Sequence, residues 1–365
     1  MNSTGNRRKT RTVKVGTLEI GGQAPVSIQS MTNTDTTDAA ATLEQIKLLA
    51  EAGCELIRVA VPNFEAADAL KVITSRSPLP VIADIHFDYK LALAAMDNGI
   101  CKVRINPGNI GGHKKFLEIA RKAADLGLAM RIGVNSGSLE RKWYDFYKHS
   151  PSEALVNSVF GFVESLEKIN YQNFVVSIKD SDVLKTINAN RLFAVQTEYP
   201  LHLGITEAGP LETGMIKGAI GIGTLLAEGI GDTIRVSLTA SPVEEIKIAK
   251  KILQALKLRR FNAELISCPT CGRCQVDLVS LSNEVESILE HYDLPLTVAV
   301  MGCAVNGPGE AREADIGVCA GQKKGLLFKK GKVIKRVNLD QLLNVLSLEL
   351  EKERIDHKKG AGKDY

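Results

Sequence analysis

Over the first two-thirds of the chain, apolar residues fall into two alternating patterns. Short runs rich in Val, Ile and Leu, with little strict alternation, predict parallel strands buried on both faces. They cover Pro25–Met31, Leu56–Val61, Pro80–His86, Lys102–Asn106, Ala129–Asn135, Phe174–Lys179, Leu201–Thr206 and Thr233–Leu238. Between them apolar positions recur at helical spacing, as in Ala39–Ala52, Lys114–Leu126 and Glu212–Glu228. Eight strands alternating with helices over about 255 residues predict an α/β fold of the TIM (β/α)8 type. A doubly wound open sheet is the competing architecture, but no glycine-rich phosphate fingerprint follows the first strand. A weak internal echo favours the barrel: Gly53-Cys54-Glu55-Leu56-Ile57-Arg58 resembles Gly99-Ile100-Cys101-Lys102-Val103-Arg104. Shorter versions recur at Gly127–Arg131 and Gly231–Arg235. In each, a glycine able to end a helix in the left-handed conformation precedes a strand that carries an arginine.

The pattern changes after Leu258. A short strand, Glu264–Ser267, leads to a cysteine cluster, then a helix at Leu278–His291 and strands at Leu296–Val300, Asp315–Cys319 and Leu326–Phe328. A last helix covers Leu339–Leu350, and a charged, frayed tail follows from residue 351. The predicted domains are a barrel at 1–258, a small α+β domain at 259–350 and the tail at 351–365.

Composition adds limits rather than detail. Hydrophobic residues at 44% and charged residues at 24% are those of a globular protein. The net charge of +4 is concentrated near the ends, at Arg7, Arg8, Lys9 and Arg11 and again between Lys323 and Arg336. Without aromatic interleaving or a binding module, these clusters do not predict a nucleic-acid partner. No apolar run reaches membrane-spanning length, and the polar, basic start lacks a secretory h-region, so the expected compartment is the cytoplasm.

Seven cysteines, an odd number, point in such a compartment to metal ligation rather than disulfides. Cys268-Pro269-Thr270-Cys271-Gly272-Arg273-Cys274 holds two overlapping C-x-x-C steps, and Cys303 follows in the glycine-rich Gly302–Gly309 turn. Such spacing serves zinc, a redox dithiol or an iron–sulfur cluster. The dithiol reading is disfavoured because the motif does not open a helix of a βαβ unit. Glu310 ends the turn, and a carboxylate there is an exchangeable ligand that would leave one iron open to substrate. Cys54, Cys101 and Cys319 read as small buried side chains.

Barrel enzymes place chemistry at the C-terminal strand ends, where this chain carries Gln29, Ser30, Asp84, His86, Asn106, Asn135, Lys179, Thr206 and Glu207. Arg58, Arg104, Arg131 and Arg235 occupy strand segments where a packed barrel wants Val or Ile. A buried guanidinium without a partner costs several kcal/mol. Internal carboxylates are one answer. The other is a polyanionic ligand, because these cations with Lys179 outnumber Asp84 and Glu207, and arginine forks suit phosphate oxygens.

At these residues the chain resembles the 4-hydroxy-3-methylbut-2-enyl diphosphate synthase family. The similarity runs from Arg11 to about Leu350 through Gln29-Ser30-Met31-Thr32, Arg104–Asn109, Arg131–Asn135, Gly204–Gly209, Cys268–Arg273 and Gly302–Glu310. The resemblance implies a [4Fe–4S] cluster on Cys268, Cys271, Cys303 and Glu310. It also implies reductive ring opening of 2-C-methyl-D-erythritol 2,4-cyclodiphosphate with loss of water, using flavodoxin or ferredoxin as donor. Arg58, Asp84, His86, Arg104, Asn106, Arg131, Asn135, Lys179 and Arg235 then contact substrate, and Glu207 and Glu310 are catalytic. Cys274 departs from the family pattern. The alternative is a phosphate-binding barrel transferase with a structural zinc site. Chain path adds one expectation. A helix at Val243–Leu256 carries the chain back from the catalytic face, so a cluster domain could close a partner's barrel in a homodimer with a shared site.

Overall fold

The computed structural model describes residues 7–292, 294–303, 309 and 311–361. They form two compact units that divide between Arg259 and Arg260. The first opens with a hairpin of β1 (Val13–Val15) and β2 (Leu18–Ile20). Eight parallel strands follow: β3 (Ser27–Met31), β4 (Leu56–Ala60), β5 (Val81–Ile85), β6 (Lys102–Ile105), β7 (Ala129–Asn135), β8 (Phe174–Lys179), β9 (His202–Leu203) and β10 (Thr233–Ile234). The order β8-β7-β6-β5-β4-β3-β10-β9, with a parallel bridge from Val176 to Leu201, closes the sheet into the expected barrel. The helices are α1 (Ala39–Ala52), α2 (Phe64–Arg76), α3 (Tyr89–Asp97), α4 (His113–Asp125), α5 (Tyr144–His149), α6 (Pro151–Lys168), α7 (Val183–Ala194), α8 (Leu211–Ala227) and α9 (Pro242–Ala255). Their starts follow local capping chemistry: Asp38, Asn63, Asp88, Asp182 and Ser241 each accept a backbone N–H of the first turn.

The two faces of the barrel strands have opposite chemistry. One alternate set (Ile28, Ile57, Val59, Ala83, Val103, Ile105, Met130, Ile132, Val176, Ile178) is apolar and buried. The other faces inward and is mostly polar above a thin apolar floor. That floor is Leu56, Ile82, Ala129 and Val175, plugged by Val13, Val15 and Ile20 of the hairpin. The sequence reading passes over this hairpin because its strands have three residues each. It also takes β9 and β10 as longer than the two residues each that form ladders. Above them the Leu238 N–H goes to Glu245 Oε1 at 3.1 Å instead of to a neighbouring strand. The basic N-terminus is used in packing. Arg8 donates to the carbonyls of Ala194 at the end of α7 and of Tyr199 beyond it, and Arg7 pairs with Asp232 at 2.9 Å.

The second unit is a five-stranded sheet in the order β11 (Glu264–Ser267), β12 (Thr297–Met301), β13 (Ile316–Ala320), β14 (Lys324–Lys329), β15 (Lys332–Asn338). The first three strands are parallel and the last two antiparallel. Helices α10 (Leu278–Leu289) and α11 (Leu342–Ala361) bury Leu278, Val285, Leu289, Leu342, Leu346 and Leu350 against it. Periodicity misses β15 because it is an exposed edge rich in Lys and Arg, a composition that discourages pairing with another chain. Helix α11 continues through the charged stretch after Glu351, where the sequence predicts fraying. Lys329 of β14 pairs there with Glu349 and Glu353. Among the described residues no helix is long and apolar enough to cross a membrane.

Candidate active site

The inward face of the barrel carries six cations in two levels. Arg58, Arg104, Arg131, Lys179 and Arg235 lie toward the C-terminal ends, and Lys102 lies one pleat below Arg104. Asp84 Oδ1 accepts from Arg104 at 3.0 Å and Asp84 Oδ2 lies 3.7 Å from Arg58. Burial alone would raise the Asp84 carboxyl, but Arg58, Arg104 and His86 overcome it and hold it well below the usual carboxylate range. His86, at the exposed rim, puts Nε2 3.3 Å from Asp84 and 3.0 Å from Arg104. One nitrogen cannot donate to the carboxylate and accept from the guanidinium at once, so His86 has two alternative partners.

Arg235 is held in a fork by Glu245 of α9, at 3.2 and 3.1 Å. Met31 Sδ accepts from Arg58 at 3.1 and 3.0 Å. Thus Arg58, Arg104 and Arg235 have internal carboxylates, the structural answer left open by the sequence. Among the described residues Arg131 and Lys179 have no such partner. Arg131, 1% exposed, reaches only the neutral Gln29 Oε1 at 3.3 Å. Burial, reinforced by Arg58 and Arg104, disfavours its charge, although a guanidinium stays protonated in proteins. Lys179 is likewise pulled well below the ordinary lysine range by burial and by Arg131, Arg58 and Arg235. Its Nζ occupies space that a side chain at Gly204 would take, 2.5 Å from an ideal Cβ there, which explains the glycine.

The remaining barrel residues shape the rim. Asn106, 1% exposed, bonds Ser138 and accepts the Gly108 N–H at 3.2 Å, fastening the loop after β6. Asn135 is half-buried at the end of β7, in register with Lys179. Glu207 is exposed after β9 with φ of +51°, a conformation uncommon outside glycine and enriched at functional sites. Sequence reasoning missed Lys102, His202 and Glu245. The first two carry a signal, since each is a polar residue at an inward position of an otherwise apolar strand, Lys102 two before Arg104 and His202 two before Gly204. Glu245 looks like an ordinary acid in a first helical turn.

In the second unit, Cys268 directly follows β11 and Cys303 lies two residues past the adjacent strand β12. The Gly302 N–H points at Cys268 Sγ at 3.4 Å, a backbone donor aimed at sulfur. Cys274 Sγ lies against Gly302, 2.5 Å from where a Cβ would stand, and Cys274 and Cys303 line one open pocket with Gly272 and Arg273. Cys319, paired with Met301 in register, donates to the Cys303 carbonyl at 2.9 Å. Burial and the neighbouring Cys303 and Cys268 push its thiol up to about 11. Cys271 is exposed on the connecting turn. Glu310 and residues 304–308 of the turn lie outside the described residues.

Among the described residues no three of His, Cys, Asp and Glu converge on one metal ion. A cubane spreads its ligands over four irons, so its thiolates stand wider apart than those around a single zinc. Two cysteines at adjacent parallel strand ends, a third on the turn beside them and an N–H donor to sulfur fit such a group. Cys268, Cys271 and Cys303 would hold it.

The GcpE TIM-barrel domain family matches residues 10–250, and the GcpE protein C-terminal domain family matches residues 264–352. A 4-hydroxy-3-methylbut-2-en-1-yl diphosphate synthase (flavodoxin) of Geobacter sulfurreducens is 53% identical over 95% of this chain and 98% of its own. The protein of that name from Clostridium acetobutylicum is 53% identical over 94% and 99%. Among solved structures, a Yersinia pestis dihydropteroate synthase aligns with 67% of this chain and 97% of its own, at 12% identity and a TM-score of 0.48.

Proposed function

This chain belongs to the GcpE family over both of its units, and from that premise we propose how its residues carry out the family's reaction. It is an oxidoreductase that converts 2-C-methyl-D-erythritol 2,4-cyclodiphosphate to 4-hydroxy-3-methylbut-2-enyl diphosphate. One C–O bond to the cyclic diphosphate and one C–OH bond break, a C=C bond forms, two electrons enter and the freed oxygen leaves as water. The electrons come from flavodoxin or ferredoxin, and the [4Fe–4S] cluster supplies the one-electron chemistry. The observation that supports the substrate assignment most strongly is the cation excess inside the barrel, met by only Asp84 and Glu245 among the described carboxylates.

In this reading Arg131 and Lys179, without carboxylate partners, take the diphosphate directly. Arg58, Arg104 and Arg235, already braced by Asp84 and Glu245, present preset donors to it. Asn106 and Asn135 line the rim, and His86 adjusts to ligand by exchanging its two partners. Glu207 protonates the departing hydroxyl, held outward by its left-handed backbone. Cys268, Cys271, Cys303 and Glu310 hold the cluster, with Glu310 as the exchangeable position. We place the enzyme in the cytoplasm, where its reduced donors are found. Purified anaerobically, it is expected to be brown and to convert the cyclic diphosphate when given reduced flavodoxin. Cluster-loaded enzyme that leaves this substrate unchanged would overturn the activity.

We further propose a homodimer whose sites are each built from two chains. The support is chain path. Helix α9 has 14 residues and carries the chain back by about 21 Å from the strand ends. The connector Leu256–Ala263 between α9 and β11 spans at most ~26–29 Å when fully extended, leaving little to round the barrel wall. Mixing a Glu207→Gln chain with a Cys303→Ser chain, each inactive alone, should restore activity. The heterodimer then has one site with both lesions and one with neither. No recovery after demonstrated subunit exchange would place each site within one chain.

A further inference from the structure

Around and below Arg131 lies a second set of buried polar groups, most of which this mechanism does not use. Lys102 sits on β6 one pleat below Arg104, in register with the floor residues Ile82 and Ala129. His202 sits on β9 in register with Thr233 of β10, which is in register with Ser27 of β3. Lys102 and His202 are both 0% exposed. Lys102 Nζ, both ring nitrogens of His202, Arg131 Nε, Gln29 Nε2, Ser27 Oγ and Thr233 Oγ1 have no hydrogen-bond partner among the described residues. Buried polar groups are almost always paired, so a concentration of unpaired ones needs an explanation.

The chemistry of the orphans is weighted towards donors, although the second ring nitrogen of neutral His202 is an acceptor. Lys102 Nζ, Arg131 Nε and Gln29 Nε2 can only donate, neutral His202 has one N–H, and the two hydroxyls can turn either way. What is missing is an acceptor. Water would supply lone pairs but would leave the charges of Lys102 and Arg131 uncompensated above an apolar floor. We propose that Lys102 and His202, with Arg131 and Gln29, form a second oxyanion site in the barrel interior, between the arginines and the plugged floor. Its ligand is a phosphoryl group. The empty site is electrostatically unfavourable, since burial together with Arg131 and Arg58 already disfavours the charged form of Lys102. An incoming oxyanion relieves that repulsion.

The site shares Arg131 with the substrate contacts proposed above and rests on that reading there, while Lys102 and His202 are its own, so the test is made at those two residues and reads binding rather than turnover. Full-length, cluster-loaded enzyme is titrated anaerobically with inorganic pyrophosphate at constant ionic strength, and its melting is followed in parallel. Lys102→Met keeps the side-chain length and removes the charge. It should raise the melting temperature of the ligand-free enzyme and weaken pyrophosphate binding about thirtyfold. Lys102→Arg should retain most of the affinity. His202→Phe provides a second variant and should also weaken binding. Unchanged pyrophosphate affinity in Lys102→Met, or in His202→Phe where Lys102→Met does not fold, overturns the site. With affinity lost, pyrophosphate that competes with the cyclic diphosphate assigns the position to a phosphoryl group of the substrate. Pyrophosphate that binds alongside it assigns a separate inorganic ion. A wild-type enzyme that binds pyrophosphate through Lys102 but does not turn over the cyclic diphosphate would refute the activity and leave this inference standing.

Discussion

Arg131→Met should lose measurable affinity for the cyclic diphosphate while the protein becomes no less stable. Arg131 is 1% exposed, and its nearest acceptor is the neutral Gln29 Oε1 at 3.3 Å. Replacing an unbalanced buried cation with an apolar side chain of similar length removes a desolvation cost and strands no carboxylate. Removing one partner of a buried charge pair with the ligand costs 2–5 kcal/mol, about thirtyfold or more in affinity. Arg235→Met makes the informative contrast. It strands Glu245, which is 3% exposed and braces Arg235 with two hydrogen bonds, so the fold itself should lose about 3–5 kcal/mol. Calorimetric titration and thermal melts on both variants read the two effects separately. Wild-type substrate affinity in Arg131→Met would reduce the residue to a structural one.

Cys268→Ser and Cys303→Ser should each yield colourless protein with no turnover, and Cys319→Ala should remain brown. The three thiols lie at neighbouring strand positions, and Cys319 is engaged as a donor within the sheet, to the Cys303 carbonyl. Burial, with Cys303 and Cys268 nearby, keeps it protonated, whereas a metal ligand must be a thiolate. Glu310→Ala should retain most of its iron and sulfide and lose turnover, because an exchangeable carboxylate is more easily spared than a thiolate. Cys274→Ser should be nearly silent. Iron and sulfide analysis with a visible spectrum checks the whole series. Loss of the cluster in Cys274→Ser alone would assign the fourth position to that cysteine instead of Glu310.

The architecture and the chemistry of the site were unequally legible. Strand and helix positions followed from local periodicity: β7, β8 and α1 of the barrel and β11 of the second unit begin and end where the pattern says. The arginines stood out for a related reason, since a charged residue in an apolar run violates the local rule. The cysteine spacing was also local, because C-x-x-C is a property of one turn. Three features were not legible, and each depends on residues far apart in the chain. The hairpin plug matters only because the closed barrel has a floor for Val13, Val15 and Ile20 to fill.

The pairing of Arg58 and Arg104 with Asp84, and of Arg235 with Glu245, needed strand register and the return of α9. Spacing alone could not choose between internal carboxylates and an external anion, and the folded chain uses the first for three arginines while leaving Arg131 without one among the described residues. Lys102 and His202 were hidden for the same reason. In sequence they are single polar residues in strands, and only closure of the sheet turns them toward a common interior. Local pattern determines which segments become strands and which become helices, since those preferences are set within a few residues. Which inward side chain finds a partner is decided by the tertiary structure, because burial and electrostatic pairing act between residues as far apart as Gln29 and Arg131.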